Sequence, residues 1–330
     1  MSESGHRVLF IYTNSYDISA DAIIQRLGND AVFRFNLDLW DEYQVEADAE
    51  RVLIRNASGR SVRSTDIAKF LWRKPLTNQE LYPDRSFPRE STFKEQEIAY
   101  VMREVWNSMY FTGRAVLIDP LSDYLVGKLI QAHIATRYFA VPHWLVVSGT
   151  KIEGDHSPLV AKSLTSERIK DRSVLYTTRV DAADLSPQAP WFLQSLVPAT
   201  EDVTVVFVRG SIFAFAVNRS SFPTGVIDWR RARILTGEQT WVPHQLPHGV
   251  EDSVRKFMSD MCLHYGRLDF LLTDEAYAFL EVNPNGEWGW LDQSGKGGVL
   301  DALLLEVSPE TPCHPLPNPR VIQAHGHLAW

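Results

Sequence analysis

The sequence predicts a mixed chain, α/β at its start and α+β over the remainder. Three observations carry this. A continuous apolar run at residues 8–12 is followed by a helical stripe and a second strand-like run, the pattern of a βαβ unit with a doubly covered parallel sheet. From Val141 onward, helical periodicity gives way to short apolar runs separated by turns. The 330 residues suggest about two domains at roughly 150 residues each, long enough to bury a sizeable core.

Each element follows from its residues. Ile18, Ala22, Ile23 and Leu27 form a helical stripe with Gly28 as C-cap, and residues 31–37 read as the next strand. Residues 52–54 and 61–62 flank Asn56-Ala57-Ser58-Gly59 as a hairpin, and 67–72 is a further strand. Residues 76–91 read as a loop. The clearest helix follows: Thr92 and Glu95 form a capping box, and Ile98, Val101, Met102, Val105, Trp106 and Met109 recur at helical spacing. A short strand at 115–118 and a helix from Ser122 to about Tyr138 come next. Strands are expected at 144–147, 159–162, 174–178, 191–195, 203–208, 212–217, 268–272 and 276–282, with one helix across 252–265. The proline-rich end, 309–330, reads as tail.

Composition excludes several classes. Lysine plus arginine is 33 against 41 acids, a net charge of −8, so binding of nucleic acid by bulk charge is not expected. Two cysteines, Cys262 and Cys313, exclude a disulfide framework and a four-cysteine zinc site. No run approaches the ~20 apolar residues of a membrane span, and the first apolar run is too short for a signal peptide, so a soluble cytoplasmic protein is expected. There is no G-x-S-x-G, no phosphate loop of the G-x-x-x-x-G-K-[ST] type and no G-x-G-x-x-G after the first strand, which argues against a dinucleotide-binding dehydrogenase. His244 and His248 have metal-like spacing, but Pro243 and Pro247 oppose the helix that would align them.

Four constellations could carry chemistry. Asp269 closes one strand segment, and Glu281 and Asn283, two apart on its hairpin partner, project to one side. Two carboxylates and an amide oxygen suit Mg²⁺ with an incomplete shell, and strand-end residues near solvent satisfy the same spacing. Lys128 and Lys162 stand in apolar surroundings, which either an anionic partner or snorkelling to the surface explains. The segment 192–198, followed by Glu201 and Asp202, is a strand stopping at a proline, either a hinge that could hold a nucleotide base and ribose or an ordinary strand end. Arg219, and Arg230 beside Asp228 and Trp229, are suited to carboxylate or phosphate, or to surface salt bridges.

Taken in chain order, these features resemble the ATP-grasp ligases. Within that superfamily the chain is most similar to the graspetide synthetases, the microviridin-type maturases of ribosomal peptides. Four stretches carry this: Phe70-Leu71-Trp72-Arg73-Lys74-Pro75, Leu175-Tyr176-Thr177-Thr178, Asp228-Trp229-Arg230, and Glu281 to Trp290 with its E-x-N-x-x-G-x-W-x-W pattern. The resemblance implies an N-terminal α/β domain (1–115), a central ATP-grasp subdomain (116–190) and a C-terminal one (191–330), the last two gripping ATP. It implies Lys128 and Lys162 on phosphates, Gln194 and Leu196 at the adenine hinge, and Glu201 or Asp202 at the ribose. Asp269, Glu281 and Asn283 would hold Mg²⁺. Arg230, with Lys162, would act in catalysis, and Arg73 and Arg219 are candidate substrate contacts. The implied reaction activates acidic side chains of a precursor peptide, bound through leader and core, as acyl phosphates and closes ω-ester or ω-amide rings. Homodimers occur among such ligases. The alternative is a RimK-like ligase that joins an amino acid or small amine to a carboxylate. One departure stands out: relatives usually carry arginine where this chain has Thr204.

Overall fold

The computed structural model describes residues 7–73, 89–150, 152, 158–164, 176–237, 240–274, 276–292 and 295–316. The chain divides into two compact units. The first comprises Met1–Asp123, Leu263–Tyr265 and Pro284–Trp330, and the second comprises Tyr124–Cys262 and Gly266–Asn283.

In the first unit, β1 (Val8–Thr13) is buried along its whole length between two parallel neighbours, β2 (Val32–Asn36) and β6 (Ile67–Trp72). This is the doubly covered strand that the apolar run implies. The Ile18–Leu27 helix connects β1 to β2, with Asp17 as N-cap accepting from Ser19 N and Ala20 N. Strands β3 (Gln44–Ala47), β4 (Val52–Arg55) and β5 (Ser61–Arg63) form an antiparallel sheet, and β4 and β5 are the hairpin expected across Asn56 to Gly59. Phe10, Phe33, Phe35 and Phe70 form the core with Met102, Val105 and Met109 of the Arg89–Phe111 helix. That helix begins before Thr92, so its first residues take the end of the expected 76–91 loop. Residues 76–88 and the side chains of Thr92 and Glu95 lie outside the described residues.

The strand expected at 115–118 is reduced to one bridge, Phe70 to Ala115, because Leu117 takes a positive φ of 62° that breaks the extended run. A helix not expected from the sequence, Val299–Val307, buries Val299, Leu300, Leu303 and Val307. The Lys69 ammonium, itself buried, donates to Glu306 O at 2.7 Å and to Thr311 Oγ1 at 2.8 Å. Residues 284–316 therefore pack with the N-terminal sheet.

The second unit holds two sheets. One runs β7 (Trp144–Val147), β10 (Trp191–Ser195), β8 (Leu159–Lys162), β9 (Thr178–Val180), all antiparallel. The other runs β13 (Val242–His244), β12 (Ser211–Asn218), β11 (Glu201–Val208), β14 (Tyr265–Leu272), β15 (Tyr277–Asn283). Strands β11 and β12 turn through Arg209 and Gly210, both at positive φ (42° and 97°), as a tight hairpin of right-handed twist requires. Pro243 sits on the edge strand β13, where its missing N–H costs little. Val174 and Leu175 of the expected 174–178 strand lie outside the described residues.

Two helices of this unit differ from expectation. The single helix from Ser122 to Tyr138 is broken: Ser122–Leu125 ends, Gly127 is extended at φ −73°, ψ 156°, and a new helix runs Lys128–Ala135. The helix expected at 252–265 is His248–Asp260, because Pro247 stands immediately before it and residues 265–272 are needed as β14. The Trp229–Thr236 helix is additional. Phe139, Phe257, Phe270 and Phe279 pack as an aromatic cluster, with Phe139 stacked on Phe279 at 5.7 Å. Among the described residues, no helix is long and apolar enough to cross a membrane.

Candidate active site

The site forms on β14 and β15. These strands pair antiparallel with Asp269 opposite Glu281 and Arg267 opposite Asn283. Residues directly opposed in such a pair share a face, so these four side chains make one patch. Two carboxylates opposed across strands repel each other. Each here has its own cation. Lys128 Nζ lies 2.9 Å from Glu281 Oε2. Arg267 donates through Nε to Asp269 Oδ1 at 3.2 Å and through Nη2 to Oδ2 at 3.0 Å, and Thr204 Oγ1 donates to Asp269 Oδ1 at 2.7 Å.

The helix break explains how Lys128 reaches this patch. Gly127 restarts the helix so that Lys128 is its first residue. A cation there opposes the helix dipole, a position that is unfavourable without an anion to hold. The helix is locked against β15 by Gln131, whose Oε1 accepts from Val282 N at 2.9 Å while its Nε2 donates to Val126 O.

Lys162 ends β8, and its ammonium sits in the same field. Burial pushes its pKa down, and Lys128 and Arg230 add to this, while Glu281 and Asp269 oppose it. For Glu281, burial pushes the carboxyl up, but Lys128 and Lys162 overcome it and hold the group at about 2. Glu281 is therefore ionised at neutral pH. Next to Lys162, Phe192 of β10 is its register partner, and two residues on lies Gln194. Gln194 is 1% exposed, and neither its Oε1 nor its Nε2 has a hydrogen-bond partner among the described residues. A buried amide with four unmet hydrogen-bonding positions is expensive unless a ligand supplies them. Leu196 N already donates to Pro158 O at 2.7 Å, which leaves its carbonyl rather than its N–H for a ligand.

Acids and arginines line the neighbouring strand. Glu201 begins β11 and lies 3.8 Å from His244, whose Nε2 meets Tyr277 Oη at 2.8 Å. The fold thus takes up His244 Nε2, while Nδ1 faces Glu201 beyond hydrogen-bond distance. Asp202 is buried, and its Oδ2 lies 3.8 Å from Arg219 Nε, too far for a hydrogen bond. Burial pushes the Asp202 carboxyl up to about 7; Arg219 and Lys162 pull against this, and Asp228 and Asp269 add to it. Arg219 donates to Ile227 O at 2.8 Å and lies over the Phe222 ring.

Asp228 and Arg230 form a fixed pair. Asp228 caps the Trp229–Thr236 helix through Arg230 N, and its Oδ2 accepts from Thr177 N at 3.0 Å. Arg230 grips both of its oxygens, at 3.0 and 2.7 Å, and lies 5.9 Å from the Tyr176 ring. Burial pushes Asp228 up, and Arg230 more than offsets it, so the carboxyl lies below its ordinary value. Two motifs distant in sequence, Tyr176-Thr177 and Asp228-Trp229-Arg230, thus meet. Arg230 remains about 44% exposed and can present its outer face to a ligand.

Arg73 is placed elsewhere. It lies in the first unit, 2% exposed, and its five donors bond Asp17 twice, Asn285 Oδ1, Gly286 O and Glu287 Oε2. Guanidinium has five N–H groups, so none is left for a substrate in this arrangement. The expectation of a substrate contact gives way to a staple that holds residues 285–287 onto β6. Lys74 and Pro75 of the same motif lie outside the described residues.

Two site residues are not among those expected from the sequence: Arg267 and Thr204, which together hold Asp269. The available signal was R-x-D on one strand, which places both side chains on one face. Among the described residues, no group of three or more His, Cys, Asp or Glu could hold a metal ion. The donor set of Asp269, Glu281 and Asn283, two carboxylates and an amide, still fits Mg²⁺, which keeps waters and completes its shell from phosphate oxygens.

No family model matches the chain, and no curated protein matches it. Solved structures do, and what they show is the fold, which is that of the ATP-grasp ligases. A RiPP-associated ATP-grasp ligase from Chryseobacterium gregarium, in complex with ADP and a leader and core peptide, is 20% identical with a TM-score of 0.77, covering 94% of this chain and 98% of that one. The macrocyclase MdnC of Microcystis aeruginosa, bound with precursor peptide MdnA, is 21% identical with a TM-score of 0.73, covering 90% and 98%. The D-alanine–D-alanine ligase of Bacillus anthracis, complexed with ATP, is 13% identical with a TM-score of 0.53, covering 92% and 97%.

Proposed function

We propose that this protein is a graspetide-type ligase, which uses ATP and Mg²⁺ to activate acidic side chains of a ribosomal precursor peptide and close ω-ester or ω-amide rings. The observation that carries this reading is the patch on β14 and β15: Asp269 and Glu281 opposed in register, with Lys128 and Lys162 in the same field. Paired acids ringed by cations are what a metal–polyphosphate complex needs. The similarity to peptide-bound ligases of the same fold supports the acceptor class.

In this reading Asp269, Glu281 and Asn283 would hold Mg²⁺, which would supply neutralisation of the phosphate charge. Lys128 and Lys162 bind phosphate oxygens as point charges. Gln194 meets the base with its unpaired amide, the Leu196 carbonyl faces it at the hinge, and Glu201 or Asp202 holds the ribose. A peptide carboxylate oxygen attacks the γ-phosphorus, and the bond to the β–γ bridging oxygen breaks with release of ADP. A hydroxyl or amine then attacks the acyl carbon, phosphate leaves with the original carboxylate oxygen, and the nucleophile loses its proton. Arg230, oriented by Asp228, steadies the acyl phosphate; catalysis is mostly positioning and charge stabilisation. The sheet of β7 to β10 and the sheet of β11 to β15 supply the two gripping subdomains, the expected 191–330 segment being cut short at residue 283 because the chain beyond it belongs to the first unit, and Arg219 lies on the substrate side.

The test is incubation with ATP, Mg²⁺ and the precursor peptide encoded beside the gene. Each ring should remove the mass of one water and release one ADP. A RimK-like ligase would instead add a small amine or amino acid to a carboxylate and raise the product mass. ADP release with unchanged peptide mass would overturn the macrocyclase reading.

A further inference from the structure

Arg267 has no part in the reaction described above, yet it is the main partner of Asp269. Its side chain is 12% exposed and that of Asp269 is 18% exposed, and both Asp269 oxygens accept from the guanidinium. With the Thr204 hydroxyl also on Oδ1, three of the roughly four acceptor positions of this carboxylate are engaged. A divalent cation on Asp269 would stand against a guanidinium already bonded to the same oxygens. Two cations sharing one carboxylate carry more charge than it neutralises, and in a partly buried site they repel unless a further anion joins them. Arg267 is also opposite Asn283 in register, on the face that carries Glu281. Thr204, its neighbour across Asp269, is uncharged. Arg267 is therefore the cation of β14 that faces whatever this patch binds.

We propose that Arg267 is a displaceable counter-ion: it holds Asp269 in the ligand-free protein, competes with a divalent cation for that carboxylate, and turns to a polyphosphate oxygen when nucleotide binds. The proposal rests on the nucleotide reading above. Its signature is a pair of effects with opposite sign. Removing the guanidinium helps the bare cation and harms the bare nucleotide. A residue that merely braced the strand would weaken both.

The experiment titrates Mn²⁺ alone, by its paramagnetic resonance signal, and ADP alone in chelator, by calorimetry. Wild type, R267Q, R267K and D269N are compared, with circular dichroism to confirm folding. For R267Q, Mn²⁺ should bind about fivefold tighter and metal-free ADP about tenfold weaker, the scale of one charge-assisted contact. R267K, a point charge without the two-point grip, should keep ADP affinity within about threefold of wild type and bind Mn²⁺ with intermediate affinity. Adding R267Q to D269N should no longer raise Mn²⁺ affinity. If both affinities of R267Q fall together, or neither moves, Arg267 is not a displaceable counter-ion. Should R267Q fail to fold, R267K carries the same test: Mn²⁺ binding no tighter than wild type overturns the proposal. If wild type binds neither Mn²⁺ nor ADP, the nucleotide reading fails and this inference with it.

Discussion

Replacing Arg73 by methionine distinguishes a structural staple from a substrate contact. The guanidinium makes five hydrogen bonds of 3.2–3.3 Å, and its main partner, the Asp17 side chain, is fully buried. Removing one member of a buried ion pair costs about 3–5 kcal/mol, because the other charge is left uncompensated. Asp17 retains Thr13 Oγ1 at 2.6 Å and the N–H groups of Ser19 and Ala20, which moderates the loss. A loss of about 4 kcal/mol is expected, read by urea unfolding with tryptophan fluorescence at pH 7. The pH dependence gives a second check. Burial pushes the Asp17 carboxyl up, but Arg73 overcomes it and holds the group well below its ordinary value. Such a group contributes fully above its unfolded pKa of about 4 and loses that contribution as pH falls toward the folded value. The gap between wild type and R73M should therefore be complete at pH 7 and narrow below about pH 4. Adding D17N to R73M should restore part of the stability, since no charge is then stranded. A loss under about 1 kcal/mol, or unchanged stability with a raised KM for peptide, would refute the staple.

Three further outcomes follow from the second unit. A Cβ at Gly266 would lie 2.9 Å from Val282 Cγ2 and 3.1 Å from Met258 Cε, so G266A should destabilise by about 1–3 kcal/mol in chemical denaturation. Asp202, raised to about 7 by burial, binds its proton in the fold at pH values where the unfolded chain has lost it. Stability should thus fall as pH rises from about 4 to 7, and D202N should flatten that slope and exceed wild type at pH 8; an unchanged slope would contradict the assignment. Replacing Asp228 by alanine removes the helix cap, the Thr177 contact and the grip on Arg230 together. The expected result is a kcat lower by about tenfold or more with little change in nucleotide KM, checked by steady-state ADP release.

Much of the geometry of the candidate site was legible because it is local. Glu281 and Asn283 are two apart on one strand, and the turn at Thr273 to Ala276 makes β15 the partner of β14, so Asp269 joins them. Lys162 showed itself as a charge at the end of an apolar strand, where burial is costly. The placement of Lys128 was not legible: the helical pattern runs on through Gly127, and only the fold shows that the helix breaks there and starts again. Arg73 misled because its acceptors, at 17 and 285–287, are far off in sequence, and an arginine that saturates itself on protein looks the same in a motif as one facing substrate. Arg267 was not legible as a site residue because R-x-D puts two opposite charges on one strand face, and spacing alone does not say whether that face is buried. The Val299–Val307 helix had a readable apolar face at Val299, Leu300, Leu303 and Val307, but no side-chain cap announced it: Gly298 precedes it in the left-handed conformation.

The central claim is that a side-chain carboxylate is activated by phosphoryl transfer in this fold. Its most direct measurement uses the adjacent-encoded precursor peptide with heavy oxygen in its acidic side chains, ATP and Mg²⁺, followed by mass analysis of the released phosphate and of the peptide. One heavy oxygen should appear in phosphate for every ring closed, with the peptide lighter by one labelled water and with both signals lost in D269A combined with E281A. Phosphate free of the label, alongside ring closure or with no ring at all, would contradict it.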